Sequence, residues 1–134
     1  MSVAPAQDFI GVYPDLISPE RCHALMKQFD LSQHAVPGHV GGGLMPELKN
    51  SRDIQLNKHP QWQAVEKELN TAMFRALMQY VREYPYAMIA PLMLQFQTND
   101  GKIRRIELGD FNSMDEKVLA DLLRAVFRPG AINL

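Results

Sequence analysis

The sequence has one cysteine, Cys22, among 134 residues. That excludes an internal disulfide and any Cys-rich zinc site, and it fits a reducing compartment, so a cytoplasmic protein is expected. No excess of charge of either sign is present: 14 basic residues face 15 acidic ones, for a formal net charge of -1. The balance holds along the chain, with 6 basic and 7 acidic residues up to Lys67 and 8 of each after it. Nucleic acid and an anionic membrane are therefore not expected partners. Long apolar runs are also missing. The longest, from Tyr86 to Leu94, contains Pro91 and reaches about half the length of a membrane span. Residues 1–7 have no basic residue and no apolar core, so no signal peptide is expected there.

What is present is ordinary globular composition, 46% hydrophobic and 22% charged, at a length that suits one domain with a sizeable core. Phe9, Ile10, Val12 and Tyr13 form a short β-type run before Pro14-Asp15. Ser18-Pro19-Glu20 predicts a helix start: a capping hydroxyl, a proline at the first helical position and an acid at the positive helix end. Cys22, Leu25, Met26 and Phe29 then recur at helical steps and predict a core-facing stripe. Residues 31–46 lose periodicity around Pro37-Gly38 and Gly41-Gly42-Gly43, and a flexible loop is expected over 36–51. Residues 52–56 alternate polar and apolar, as a short strand would.

A long helix is predicted from Pro60 to Tyr84, with Trp62, Val65, Leu69, Met73, Leu77, Tyr80 and Tyr84 along one face and Pro85 closing it. Residues 93–97 and 102–108 flank Thr98-Asn99-Asp100-Gly101 and read as a hairpin. Ser113-Met114-Asp115-Glu116 has capping-box spacing before a helix with Val118, Leu119, Leu122, Leu123, Val126 and Phe127. Ala131-Ile132-Asn133-Leu134, after Pro129-Gly130, reads as the beginning of a strand. The expected class is α+β, with long scaffold helices on a small, mostly antiparallel sheet.

Catalytic patterns are scarce. None of His23, His34, His39 and His59 is followed two residues later by an acid, and none belongs to a His-Glu-x-x-His motif. Loop histidines are the expected reading. Cys22 and His23 are sequence neighbours, which on a helix do not face each other. Gly41-Gly42-Gly43 lacks the preceding strand and following helix of a phosphate loop, so a hinge or lid is the better account. The candidate lid or substrate loop comprises Gly41, Gly42, Gly43, Lys49, Ser51 and Arg52. Trp62, Tyr80 and Tyr84 are expected in core packing rather than in an aromatic box.

Four segments together resemble the 2-oxoglutarate- and iron(II)-dependent dioxygenases of the prolyl-hydroxylase-like branch. Asp8-Phe9-Ile10-Gly11-Val12-Tyr13-Pro14-Asp15 with Ser18-Pro19-Glu20-Arg21-Cys22 is similar to that family's opening strand and first helix. Pro37-Gly38-His39-Val40-Gly41-Gly42-Gly43 with Lys49-Asn50-Ser51-Arg52-Asp53-Ile54 resembles its flexible loop and following strand. Trp62 through Pro85 resembles the scaffold helix, and Phe127-Arg128-Pro129-Gly130-Ala131-Ile132-Asn133-Leu134 the lead into the first catalytic strand. The insertion over 92–110 departs from the pattern. The resemblance implies the N-terminal part of a double-stranded β-helix enzyme, without its catalytic barrel. Iron(II) and 2-oxoglutarate are implied for a full-length enzyme, but the His-x-Asp/Glu pair, the distal His and the basic co-substrate residue have no counterparts here. No cofactor is expected on this chain alone. The rival expectation is a non-catalytic interaction module that self-associates through an exposed edge strand.

Overall fold

The computed structural model describes residues 8–134. The reading of residues 1–7 as lacking a signal peptide lies outside them. The class is α+β: among the described residues there are five α-helices and two small two-stranded antiparallel sheets. No helix of the described residues is long and apolar enough to cross a membrane. The chain divides into two compact units, one built from residues 8–14 and Phe74–Arg128, the other from Asp15–Met73 and Pro129–Leu134.

In the second unit, helix α1 (Pro19–Asp30) starts as its sequence predicts. Ser18 is extended, its hydroxyl accepts from the Arg21 N–H, and Pro19 opens the first turn. The core-facing stripe differs from expectation. Leu25 is buried and Phe29 half-buried, but Cys22 is exposed and Met26 is 63% exposed. The inward face instead runs from Arg21 through Leu25 to Gln28 and Phe29, a step of three to four residues that leaves Cys22 and Met26 a quarter-turn outside. Arg21 keeps its place there through a two-pronged pair with Glu68, with Nε and Nη2 donating at 2.8 and 2.7 Å.

Strand β1 (Val36–Pro37) pairs antiparallel with β2 (Arg52–Asp53), matching Val36 to Asp53 and Pro37 to Arg52. The extended chain continues beyond β2. Ile54 and Leu134 exchange both backbone hydrogen bonds at 2.9 Å, and the Leu56 N–H donates to Ile132 at 2.9 Å. The Gly38 N–H donates to Ser51 on the other side. Backbone groups along a strand point alternately to its two edges, so β1 and residues 132–134 occupy opposite edges of this central strand. One edge of 132–134 is thus paired within the chain, the outer edge has no partner among the described residues, and Ile132 and Leu134 are half-buried against Leu25, Ile54, Leu56, Trp62 and Val65. A turn of 3-10 helix follows at Leu56–Lys58 and another at Pro60–Trp62, leading into α2 (Gln63–Glu83). Trp62 at the end of that second turn and Val65 on α2 are buried as expected. Ala72 takes the inward position given above to Met73, which is 51% exposed. Met73 is the last residue of this unit on the helix, one turn beyond Leu69, which still packs on its core.

In the first unit, the run Phe9–Tyr13 is not a strand. Phe9 adopts a positive φ of 57°, and the segment has no ladder partner. Tyrosine hydroxyls satisfy its carbonyls instead: Tyr80 donates to Phe9 at 2.8 Å and Tyr84 to Ile10 at 3.0 Å. Pro85 ends α2 as predicted, but the apolar run behind it folds at once into α3 (Tyr86–Leu92), with Pro91 in its last turn and Met93 left-handed. The expected hairpin forms with shorter arms, β3 (Gln95–Gln97) and β4 (Ile103–Arg105). Leu108 opens α4 (Leu108–Ser113) rather than extending the second arm. The capping box lies here, between Glu107 and Asp110, and not at Ser113–Glu116; α5 (Glu116–Val126) is capped by Asp115, which accepts from the Val118 N–H at 2.8 Å. Val81, Met88, Ile106, Phe111, Leu119 and Leu123 form this unit's core.

Candidate functional site

Both candidate regions lie within the second unit. The first is the ribbon between β1 and β2, which carries the predicted loop residues. Its tip turns tightly: Val40 and Gly43 exchange two backbone hydrogen bonds of 2.9 Å around Gly41 and Gly42. Gly43 has a φ of +106°, a conformation that favours glycine, and Gly41 has open space where a side chain would project. A second turn follows, with the N–H groups of Leu48 and Lys49 both donating to Met45. Residues 36–51 are thus an internally bonded ribbon, and the three glycines form its exposed tip.

Lys49, Ser51 and Asp53 converge at the base. The Lys49 ammonium lies 2.6 Å from Asp53 Oδ2, and the Ser51 hydroxyl donates to Oδ1 at 2.8 Å. Ser51 and Asp53 are two residues apart on an extended strand, so both side chains leave the same face. Lys49, Ser51 and a contribution from His39 hold the Asp53 carboxyl below the usual carboxylate range, despite opposition from partial burial. Arg52 leaves the opposite face, its guanidinium 5.6 Å from the centre of the Phe29 ring. The structure therefore brings Lys49 and Ser51 together, sets the Arg52 guanidinium against Phe29 of α1, and leaves Gly41–Gly43 apart at the tip. Sequence reading missed Asp53 as the hub. It also missed the demand at Gly38, where a Cβ would collide with the Ser51 hydroxyl and approach Lys49 Cε to 2.8 Å.

The second region is an open groove of about 620 Å³ beside the C-terminal end of α1. Lys27, Gln28, Ser32, Gln33, His34 and Gln61 supply its polar lining. The His34 ring packs on the His59 ring, with centroids 4.2 Å apart and planes 30° from parallel. The Gln61 side-chain amide meets His34 Nε2. No pairing among the four histidines is legible in the sequence, because nothing local signals a contact across so many residues. His23 is engaged elsewhere, its Nδ1 being 2.8 Å from the Pro19 carbonyl.

Among the described residues no polar or charged side chain is buried, and no three or more His, Cys, Asp or Glu residues cluster as metal ligands. An iron site of two imidazoles and one carboxylate does not fit this donor set. Compared with models of known protein families, with curated proteins and with solved structures, the chain matches none.

Proposed function

We propose that the chain is the N-terminal portion of a 2-oxoglutarate/iron(II)-dependent dioxygenase of the hydroxylase type. The observation that carries this reading is the central strand at residues 51–56. It follows the glycine-tipped ribbon and holds residues 132–134 antiparallel on the edge opposite β1. In such an enzyme the lead into the first barrel strand would occupy that place, and the ribbon would be free to close over substrate. Element order supports it too: a Ser-Pro-capped helix, the ribbon, the strand, then a helix of 21 residues. The iron ligands would come from residues outside this chain, and no chemical step is assigned to it. A cytoplasmic setting accompanies the proposal, on the strength of the single cysteine.

Reading the coding sequence past Leu134 tests the proposal. A His-x-Asp/Glu pair within a few tens of residues, followed by a distal His, is the expected result; a stop codon directly after Leu134 would overturn it. The 134-residue chain alone should form no succinate from 2-oxoglutarate above a metal-free control.

A second reading, a self-associating interaction module, is favoured by exposed apolar side chains in both units. Leu44 and Leu48 are 52% and 70% exposed on the ribbon, and Ile103 is 73% exposed on the β3–β4 hairpin. Light scattering over a concentration series tests it: a dimer supports it, and a monomer at high concentration removes it.

A further inference from the structure

Neutral imidazole is the commonest side-chain ligand for borderline transition metals. His34 and His59 come from different segments, yet each is held by its backbone. The His34 N–H donates to the Ser32 hydroxyl at 3.1 Å, the His59 N–H donates to Leu56 at 3.2 Å, and the His59 carbonyl accepts from Trp62 at 2.9 Å. With ring centroids 4.2 Å apart, the two imidazoles lie within the span of a single ion, which would bind once the rings turn from stacking on each other to facing it. Gln61 adds a third donor. Its amide already reaches His34 Nε2, and turning the amide over exchanges its nitrogen for its oxygen in the same space. The carbonyl end of α1 borders the groove, and that end of a helix favours positive charge.

We propose that His34, His59 and Gln61 form a binding site for a divalent transition-metal ion, with two imidazole nitrogens and one amide oxygen as ligands and water in the remaining positions. The site is separate from the iron of the proposed dioxygenase and stands or falls without it. None of the three donors is an anion, and no carboxylate or thiolate joins them among the described residues. Nitrogen-binding ions such as nickel(II), copper(II) and zinc(II) should therefore bind, while magnesium, which needs oxygen ligands and carboxylate charge, should not.

The test is calorimetric titration of the untagged chain with nickel(II), zinc(II) and magnesium. Wild type, His34→Ala, His59→Gln and the exposed-histidine control His23→Ala are compared, with folding checked by circular dichroism. The expected result is one nickel or zinc site, weakened by roughly 10-fold or more in His34→Ala and in His59→Gln and unchanged in the control. Paramagnetic nickel(II) should also broaden the imidazole resonances of His34 and His59 in the wild-type chain before those of His23 and His39, a readout that needs no variant. Equal affinity in His34→Ala and wild type, broadening that begins at His23 or His39, or no binding to wild type would overturn the proposal.

Discussion

Replacing Trp62 by alanine tests the core of the second unit most severely. The indole is 1% exposed and sits among Leu25, Ile54, Leu56 and Val65, with Phe29, Leu69, Ile132 and Leu134 around them. A buried aromatic side chain removes about 150–250 Å² from water, and at about 25 cal/mol per Å² that is roughly 4–6 kcal/mol. Residual burial in the unfolded chain lowers such figures by roughly 10–40%, which brings the value to about 3–5 kcal/mol, the range seen for truncating core aromatics. Since domains of this size have only about 5–15 kcal/mol in hand, the variant should be marginal at room temperature. Trp62 is the only tryptophan, so the mutation also removes the usual fluorescence probe. Urea unfolding followed by far-ultraviolet circular dichroism is the appropriate assay. The expected outcome is a much lower midpoint at an unchanged slope, because the slope reports the surface exposed on unfolding. A loss below about 1 kcal/mol would refute the reasoning, since neither the transfer term nor the cavity term could then operate at this position.

Three further outcomes are expected. Asp110 accepts from both terminal nitrogens of Arg104, at 2.7 and 2.8 Å, and from the Glu107 N–H, and these contacts hold its carboxyl below the usual range. Its contribution should be complete above the ordinary aspartate pKa and lost as pH falls through the lowered folded value; carbon-detected NMR titration should show the Asp110 midpoint rising toward normal in Arg104→Ala. Hydrogen exchange should divide the ribbon, with amides at the Gly41–Gly42 tip exchanging fast and those of Gly38, Ile54, Leu56 and Leu134 protected; uniform protection through the tip would contradict its open geometry. Gly38→Ala should displace the Ser51 hydroxyl from Asp53 and raise the Asp53 pKa in the same kind of titration, whereas an unmoved value would mean that Ser51 can rotate away without loss.

Features decided by neighbouring residues were legible in the sequence. The start of α1 needs only Ser18, Pro19 and the Arg21 N–H, and Pro85 stops α2 by its own sterics. The hairpin turn at 98–101 likewise follows from Thr98, Asp100 and a left-handed Gly101. Features decided at a distance were not. Phe9 to Val12 has the composition of a strand, but the Tyr80 and Tyr84 hydroxyls bind its carbonyls and no ladder forms. Met93 in a left-handed conformation ends α3, a choice that its side chain gives no reason to expect. In the candidate site, Lys49 and Ser51 read as parts of a loop, while Asp53, the partner that joins them, was not legible as such. Nor was the His34–His59 pair, because the contact depends on α1, the ribbon and the strand having already folded.

The central strand also limits how a second copy of the chain could attach. Ile54 and Leu56 direct their backbone groups to residues 132–134, and Ser51 directs its own to Gly38. Both edges at 51–56 are therefore in use, and the edge that remains is the outer one of 132–134, where Asn133 turns away from its partner Gln55. An antiparallel copy on so short an edge could gain only a few backbone bonds, each worth about 0.5–1.5 kcal/mol net. Association costs at least roughly 4 kcal/mol in lost freedom of motion, so those bonds alone would leave little or no affinity. Apolar burial would have to supply the difference, and the side chains on the inner face of this strand, Ile132 and Leu134, are already half-buried in their own core. A stable homodimer would thus have to use exposed groups elsewhere, such as Leu44 and Leu48 on the ribbon or Ile103 on the hairpin. The strand geometry therefore argues against edge-to-edge self-association through residues 132–134.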